Sequence, residues 1–145
     1  MEAVIFMGIQ ASCKTTFYKR NLMKSHMHIS LDVVGTRNRE KKFFELCLKT
    51  DMKLVIDNTN PKRYDRKRYI PKAKKAGFKV IGYYFRSNLE ECLERNENRE
   101  EKIPEKGVKA TLGKLEIPHY NEGFDELHYV RIDDGDFVVE DWKDE

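Results

Sequence analysis

Short apolar runs alternate along the chain with longer stretches whose apolar residues recur at helical spacing. Five runs are short and largely apolar, which predicts β-strands at residues 3–8, 28–32, 53–57, 78–85 and 127–132. The stretches between them place apolar side chains on one face, as Phe43, Leu46 and Cys47 do. These stretches predict helices at residues 14–23, 38–49, 61–76, 89–96 and 108–116. Pro71 lies inside the third of these helices and predicts a kink or a break there.

Strands that alternate with helices indicate an α/β fold, with a five-stranded parallel sheet and helices on both faces. Right-handed crossovers bring the carboxyl ends of parallel strands to one edge, where ligands bind in open α/β sheets. Gly8, Asp32 and residues 57–60 each lie at the end of a predicted strand. The order of the chain therefore predicts one cleft that contains all three.

The length of 145 residues predicts one domain, over residues 1–132, followed by an acidic C-terminal tail over residues 133–145. From His119 onwards there are ten acidic and two basic residues, although the whole chain has a net charge of +3. The remainder therefore carries a net charge of +11, which indicates an anionic partner such as a nucleotide or a nucleic acid. Phe137 and Trp142 are apolar side chains that could dock the tail.

The cysteines and the lack of long apolar runs limit the classes of protein to which this chain can belong. Cys13, Cys47 and Cys92 are scattered and form no CxxC pair, which is typical of reduced thiols in the cytoplasm. No apolar run approaches the roughly 18–20 residues of a membrane helix, and no secretory leader pattern is visible. We therefore expect a cytoplasmic protein without a membrane partner; the sequence does not indicate its oligomeric state.

The segment Gly8-Ile9-Gln10-Ala11-Ser12-Cys13-Lys14-Thr15-Thr16 joins the first predicted strand to the first predicted helix. Strand, glycine turn, Lys-Thr and helix is the pattern of a phosphate-binding loop, whose backbone N–H groups face an anion. The pattern predicts Lys14 on the β- and γ-phosphates and the Thr15 hydroxyl on Mg²⁺, with Gly8, Ser12, Cys13 and Thr16 completing the nucleotide site. Cys13 stands where the pattern has glycine. If that position needs a positive φ, its Cβ costs about 1–2 kcal/mol.

Carboxylates and amides follow the next two predicted strands. Asp32 could be the base that takes the proton of a hydroxyl acceptor, or a structural cap or turn former. Asp57 is expected near Mg²⁺, through water or as a group that orients the metal ligands. The segment Asp57-Asn58-Thr59-Asn60 also fits an Asx turn followed by a helix that Asn60 caps.

Arg95 and Arg99 are four residues apart and share one face if the helix continues that far. Two arginines at the mouth of a phosphate site would clamp the charge on a transferring phosphoryl group. They could also be ordinary solvated side chains. The charged segment 98–107 that follows is expected to be a mobile loop, and it could act as a lid that excludes water.

A basic stretch runs through the segment that follows the third strand. Its members are Lys62, Arg63, Arg66, Lys67, Arg68, Lys72, Lys74, Lys75 and Lys79, interleaved with Tyr64 and Tyr69. It could bind a nucleic-acid backbone with the tyrosines as stacking platforms for bases. An ordinary solvated helix would show the same composition, so both interpretations stay open.

The assembled motifs resemble the P-loop kinases of the polynucleotide 5′-kinase type, among the AAA-like ATP-binding P-loop kinases. The resemblance covers about residues 4–130 and rests on the phosphate loop, Ile29-Ser30-Leu31-Asp32, Ile56-Asp57-Asn58-Thr59-Asn60-Pro61, and Arg95 with Arg99. It implies a P-loop NTPase fold with an adenylate-kinase-like core and a small lid. It also implies ATP with Mg²⁺ as donor and a hydroxyl acceptor, in that family the 5′-OH of a DNA or RNA end.

Carried over by position, the resemblance assigns catalytic roles to four residues. Lys14 holds donor phosphates, Asp32 is the general base, and Arg95 and Arg99 are the lid arginines. It makes Asp57 the aspartate of the second motif. On the acceptor side we expect Asp32, Arg37, Asn58 and Asn60.

Two departures from the family pattern keep alternatives open. Polynucleotide kinases usually have an arginine for the acceptor's phosphate three residues after the base, where this chain has Gly35. Arg37 could take that place; otherwise the acceptor could be a nucleoside or another small metabolite. Cys13 in the phosphate loop leaves open an ATP-binding protein with weakened catalysis.

Overall fold

A computed structural model describes residues 1–144 and contains one six-stranded sheet in the order β2-β3-β1-β4-β5-β6. Its strands are β1 (Glu2–Met7), β2 (Met27–Ile29), β3 (Leu54–Ile56), β4 (Lys79–Phe85), β5 (Glu126–Asp133) and β6 (Asp136–Asp141). The first five strands pair in parallel and β6 pairs antiparallel with β5. The predicted parallel sheet is therefore present, with one strand more than expected.

The helices cover both faces of this sheet. They are α1 (Lys14–Asn21), α2 (Leu31–Val34), α3 (Arg37–Lys49), α4 (Arg63–Arg66), α5 (Ile70–Lys75), α6 (Leu89–Glu97) and α7 (Glu105–Lys114). The predicted break at Pro71 separates α4 from α5, and the proline lies in the first turn of α5, where its missing N–H costs no hydrogen bond. Among residues 1–144, no helix has the length and apolar character needed to cross a membrane.

β1 is central because both of its faces are apolar and buried. Alternate residues of the strand point to opposite sides of the sheet. Ile5 and Met7 pack on one side with Phe44 and Ile70, from α3 and α5. Val4 and Phe6 pack on the other side with Phe17 of α1. The carboxyl end of β1, where the phosphate loop begins, is thereby fixed from both faces.

A smaller cluster joins α6 and α7 to the start of the phosphate loop. Its buried members are Ile9, Cys92 and Val108. Residues 98–104 connect the two helices, and α7 begins at Glu105, three residues before the predicted start. The segment from α6 to α7 is called the lid segment below. Its packing on Ile9 places it against the phosphate loop.

The C-terminal segment expected as an acidic tail contributes the sixth strand. Asp134 and Gly135 both have positive φ, at 51° and 81°, and lie between the paired residues Asp133 and Asp136. An Asp-Gly pair with positive φ at both positions is favoured for a two-residue hairpin turn. Phe137 packs edge-on against Phe17, with ring centroids 5.2 Å apart. This contact adds the segment to the sheet despite its acidic composition.

Candidate active site

The phosphate loop connects β1 to α1 and depends on unusual backbone angles. Gly8 has a φ of 152°, and a Cβ there would come within 3.1 Å of the Phe85 carbonyl oxygen. Ala11 and Cys13 both have left-handed φ values, at 61° and 73°. Cys13 therefore occupies a position that favours glycine, and its Cβ costs about 1–2 kcal/mol there.

Lys14 turns its amine back into this loop. Its Nζ donates to the carbonyl oxygens of Gly8 and Ile9, at 3.0 and 2.8 Å, and to Ser12 Oγ at 3.3 Å. Burial lowers the pKa of Lys14 to about 8, and the nearby Asp57 carboxylate opposes that shift. The loop thus holds a cationic group near the pH at which it can lose its charge.

Asp57 joins the phosphate loop to β2. Its Oδ2 accepts a hydrogen bond from Thr15 Oγ1 at 2.8 Å and another from His28 Nε2 at 2.7 Å. The His28 ring stacks on Tyr18, with centroids 4.3 Å apart. The sequence analysis expects both Thr15 and Asp57 near Mg²⁺, and that role stays a prediction. His28 was missed, because a single histidine on a short strand gave no signal.

One cleft of about 870 Å³ contains most of the predicted site residues. Its walls come from the phosphate loop, α2, the segment after β3, and the lid segment. The predicted residues that line it are Cys13, Lys14, Thr15, Thr16, Asp32, Arg37, Asp57, Asn58, Asn60, Arg95 and Arg99. Gly8 and Ser12 are not part of this lining, although both provide acceptors for Lys14.

Asp32 lies in the first turn of α2 rather than at the end of a strand, because β2 already ends at Ile29. Its side chain is exposed and lines the cleft. The helix α2 is only four residues long and buries none of its side chains. Packing therefore contributes little to the position of this carboxylate.

Asn58 connects α2 to a buried carboxylate that the sequence did not reveal. Its Oδ1 accepts from the Leu31 N–H at 2.9 Å, and its Nδ2 donates to Glu40 Oε2 at 2.6 Å. The other oxygen, Glu40 Oε1, accepts from Tyr69 OH at 2.9 Å and from Arg37 Nη1 at 3.1 Å. We call Arg37, Glu40, Asn58 and Tyr69 the Glu40 network.

Asn60 does not cap a helix, contrary to the prediction. The residue that precedes α4 is Lys62, and its N–H donates a hydrogen bond to Asp65 Oδ2. Asn60 has a φ of 41° and donates from Nδ2 to the Phe6 carbonyl at 2.8 Å. Its side chain therefore joins the segment after β3 to the end of β1 instead of capping a helix.

The two arginines lie in different environments. Arg95 is in α6 and donates to the Ala11 carbonyl oxygen at 3.3 Å, whereas Arg99 lies beyond the end of α6. Both line the cleft. Between them, the buried Asn96 makes two hydrogen bonds with the backbone of Ile103, at 2.6 and 2.9 Å. Asn96 therefore ties down part of the segment that was expected to be a mobile loop.

The basic stretch divides into a buried part and an exposed part. Arg66 is fully buried and pairs with Glu122 through two hydrogen bonds, at 2.8 and 3.3 Å, and Tyr69 is buried in the core. These two residues therefore cannot belong to a nucleic-acid surface. Tyr64 is 72% exposed and lines the cleft beside Lys62.

The sequence profile of a family described as an AAA domain matches residues 31–118 of this chain. A curated relative, the bifunctional polynucleotide phosphatase/kinase of Schizosaccharomyces pombe, is 24% identical over 135 residues. The alignment covers 89% of this chain and 33% of the relative, so the chain spans about a third of the relative's length.

Solved structures share the fold at low sequence identity. A sugar kinase from a Janibacter species has a TM-score of 0.70 and 15% identity, with 90% of this chain and 85% of that chain covered. Kti12 of Chaetomium thermophilum in complex with ADP-AlF3 has a TM-score of 0.67 and 14% identity, with 91% and 90% covered. The P-loop kinase fold and the family resemblance predicted from the sequence are confirmed.

Proposed function

The chain belongs to the AAA domain family, and on that premise we propose that it is an ATP-dependent kinase that transfers the γ-phosphate to a hydroxyl acceptor. One observation carries the proposal. A single cleft brings together the phosphate loop, a carboxylate at Asp32, and two arginines from the lid segment. These are the groups that positioning and charge stabilisation of phosphoryl transfer require.

The donor side of the cleft has the chemistry of a nucleotide site. In the proposal, the loop N–H groups and Lys14 bind the donor phosphates. The Thr15 hydroxyl and the Asp57 carboxylate lie 2.8 Å apart, and oxygen ligands of this kind suit Mg²⁺. Mg²⁺ held there would neutralise charge on the donor phosphates. His28 donates to the same Asp57 oxygen.

The acceptor side supplies a base and cations. In the proposed reaction the acceptor oxygen forms a bond to the γ-phosphorus while the bond to the bridging oxygen of ADP breaks. The Asp32 carboxylate takes the proton of the acceptor hydroxyl. Arg95 and Arg99 stabilise the charge on the phosphoryl oxygens during transfer.

The favoured acceptor is the 5′-hydroxyl of a DNA or RNA end. Lys62, Tyr64 and Lys114 line the same cleft, and Tyr64 exposes 72% of its surface. An exposed aromatic ring beside cations suits a nucleobase and its phosphate. The name of the Schizosaccharomyces pombe relative, a polynucleotide phosphatase/kinase, supports the same class of acceptor.

Two observations support alternative functions on the same fold. Gly35 offers no side chain for an acceptor phosphate, and Arg37 already donates to Glu40 and Tyr69, which favours a small nucleoside or metabolite acceptor. The left-handed backbone at Cys13 favours an ATP-binding protein with weakened catalysis. The first alternative predicts label on a small molecule, and the second predicts ATP binding with little or no label on any acceptor.

A screen with γ-labelled ATP and Mg²⁺ tests these functions side by side, using 5′-hydroxyl oligonucleotides, nucleosides and sugars as acceptors. The proposal expects label on oligonucleotides and a raised acceptor KM in Tyr64→Ala, with the ATP KM unchanged. Phe43→Ala is the matched control, since Phe43 is exposed and does not line the cleft. Label only on a small metabolite would show that the acceptor is not a nucleic acid. ATP binding without any transfer would support the alternative of an ATP-binding protein with weakened catalysis.

A further inference from the structure

The Glu40 network links a buried charge to the turn that carries Asp32. Glu40 lies in the first turn of α3 and its side chain is only 3% exposed. A buried carboxylate needs several hydrogen bonds to offset the loss of its hydration. Glu40 has three, from Tyr69, Arg37 and Asn58.

The Asn58 amide can adopt only one orientation between its two partners. Its oxygen faces the Leu31 N–H and its nitrogen faces the Glu40 carboxylate. A flipped amide would place two donors together on one side and two acceptors on the other. Glu40 therefore selects the orientation in which Asn58 accepts from Leu31.

Leu31 is the first residue of α2 and directly precedes Asp32. Because α2 buries no side chain, hydrogen bonds to its backbone are the main contacts that can hold it. A misplacement of about 1 Å at a reacting group can cost about 100-fold in rate. An exact position of α2 is therefore important for the base, Asp32, that this helix contains.

We propose that Glu40 is a positioning residue of the phosphoryl-transfer site, which acts through Asn58 and the Leu31 N–H to fix Asp32 in the cleft. The proposal rests on the proposed function, since it assumes that Asp32 takes a proton. Glu40 itself does not line the cleft. It sets the geometry from behind the cleft wall.

A reciprocal exchange of the two partners tests the proposal. Asn58→Asp places two carboxylates against each other. Glu40→Gln leaves one oxygen for the donors of Asn58, Tyr69 and Arg37, so its NH2 group must face one of these donors. Each single variant should lower kcat by about 10- to 100-fold. The ATP dissociation constant should not change. In Glu40→Gln/Asn58→Asp the glutamine amide donates to the new carboxylate, which still accepts from Leu31, and most of kcat should return.

The control for charge and stability is Asn38→Asp, the same change at an exposed position of α3. It should keep the wild-type kcat. Single variants that lower the melting temperature but keep kcat would show that Glu40 has only a structural role. A folded double variant that stays as slow as the single variants would also overturn the proposal.

Amide hydrogen exchange provides a readout that does not depend on activity. In Asn58→Ala the Leu31 N–H loses its acceptor, so its exchange should become at least about tenfold faster, while β1 amides such as Ile5 stay protected. Unchanged protection at Leu31 would refute the positioning claim. A wild-type protein that labels no acceptor would instead refute the proposed function, and the exchange result would then decide only whether Asn58 holds the Leu31 N–H.

Discussion

The phosphate loop and the Glu40 network support two walls of one cleft, the network through Arg37 and Asn58, but they are built by opposite means. The phosphate loop is local and strained: positive φ at Ala11 and Cys13 shapes it, and its lysine bonds to carbonyls five and six residues away. The Glu40 network is distant in sequence, with hydrogen bonds that span 18 and 29 residues. One wall depends on backbone conformation and the other on satisfied buried charge.

The buried Arg66–Glu122 pair is a second case in which a hydrogen-bonded buried charge holds elements near the cleft together. Arg66 Nη1 donates to the carbonyl oxygens of Asn60 and Glu116, at 3.3 and 3.1 Å. It thus joins the segment after β3 to the residues that follow α7. The cleft therefore has a locally folded donor wall, and its acceptor wall is held by polar contacts between distant elements.

The largest expected effect comes from breaking that pair. Arg66→Met should lower the free energy of unfolding by about 3–5 kcal/mol, because it leaves the buried Glu122 carboxylate without its partner. Urea unfolding measures this change. The matched control is Arg68→Met, whose exposed pair with Asp65 at 3.6 Å should be worth less than about 1 kcal/mol. Equal losses in the two variants would mean that burial does not distinguish these pairs.

A pH titration tests the donor wall through Lys14, whose pKa is lowered by burial to about 8. The protonated amine attracts phosphate oxygens, and the fraction that is protonated falls as the pH rises above this pKa. ATP affinity should therefore be highest below pH 8 and weaken by about tenfold towards pH 9.5. Calorimetric titration at pH 7 and 9.5 measures it.

Lys14→Met supplies the control for that titration, because it removes the titrating group. Its ATP affinity should be weak at both pH values and should change little between them. Wild-type affinity that stays constant from pH 7 to 9.5 would show that the charge of Lys14 is not what changes in this range.

The smallest expected effect concerns strain at Cys13. Cys13→Gly removes a Cβ that costs about 1–2 kcal/mol at a left-handed φ, although glycine loses roughly 0.4–1 kcal/mol through its freer unfolded chain. A net gain of between zero and about 1.6 kcal/mol in unfolding free energy should follow. Cys13→Ala keeps the Cβ and should gain nothing. A similar gain in both variants would point to the thiol rather than the backbone.

The difference between the walls also explains what the sequence could predict. The phosphate loop, the strand order along the chain and the break at Pro71 depend on neighbouring residues, so local patterns predicted them. Asp57 and Asn58 were placed correctly at the cleft because they follow a strand. The solved structure of a sugar kinase shares the predicted fold.

The remaining features depend on partners far away in the sequence. Glu40 and Arg66 each look like an ordinary charged residue of a solvated helix, and only the fold brings Asn58 and Glu122 to them. Asn60 was read as a cap because Pro61 favours a helix start, but its side chain bonds to Phe6 across the sheet. The sixth strand was not predicted. Its Asp-Gly hairpin turn lies in an acidic segment, and the acidic composition indicated a tail.

The account as a whole depends on Asp32 as the base of the proposed reaction. The most direct test compares wild type with Asp32→Asn in single-turnover transfer from γ-labelled ATP to a 5′-hydroxyl oligonucleotide, together with ATP binding by calorimetry. The account predicts that the variant binds ATP as tightly as the wild type and transfers phosphate at least about 100-fold more slowly. A variant that transfers at the wild-type rate would contradict it.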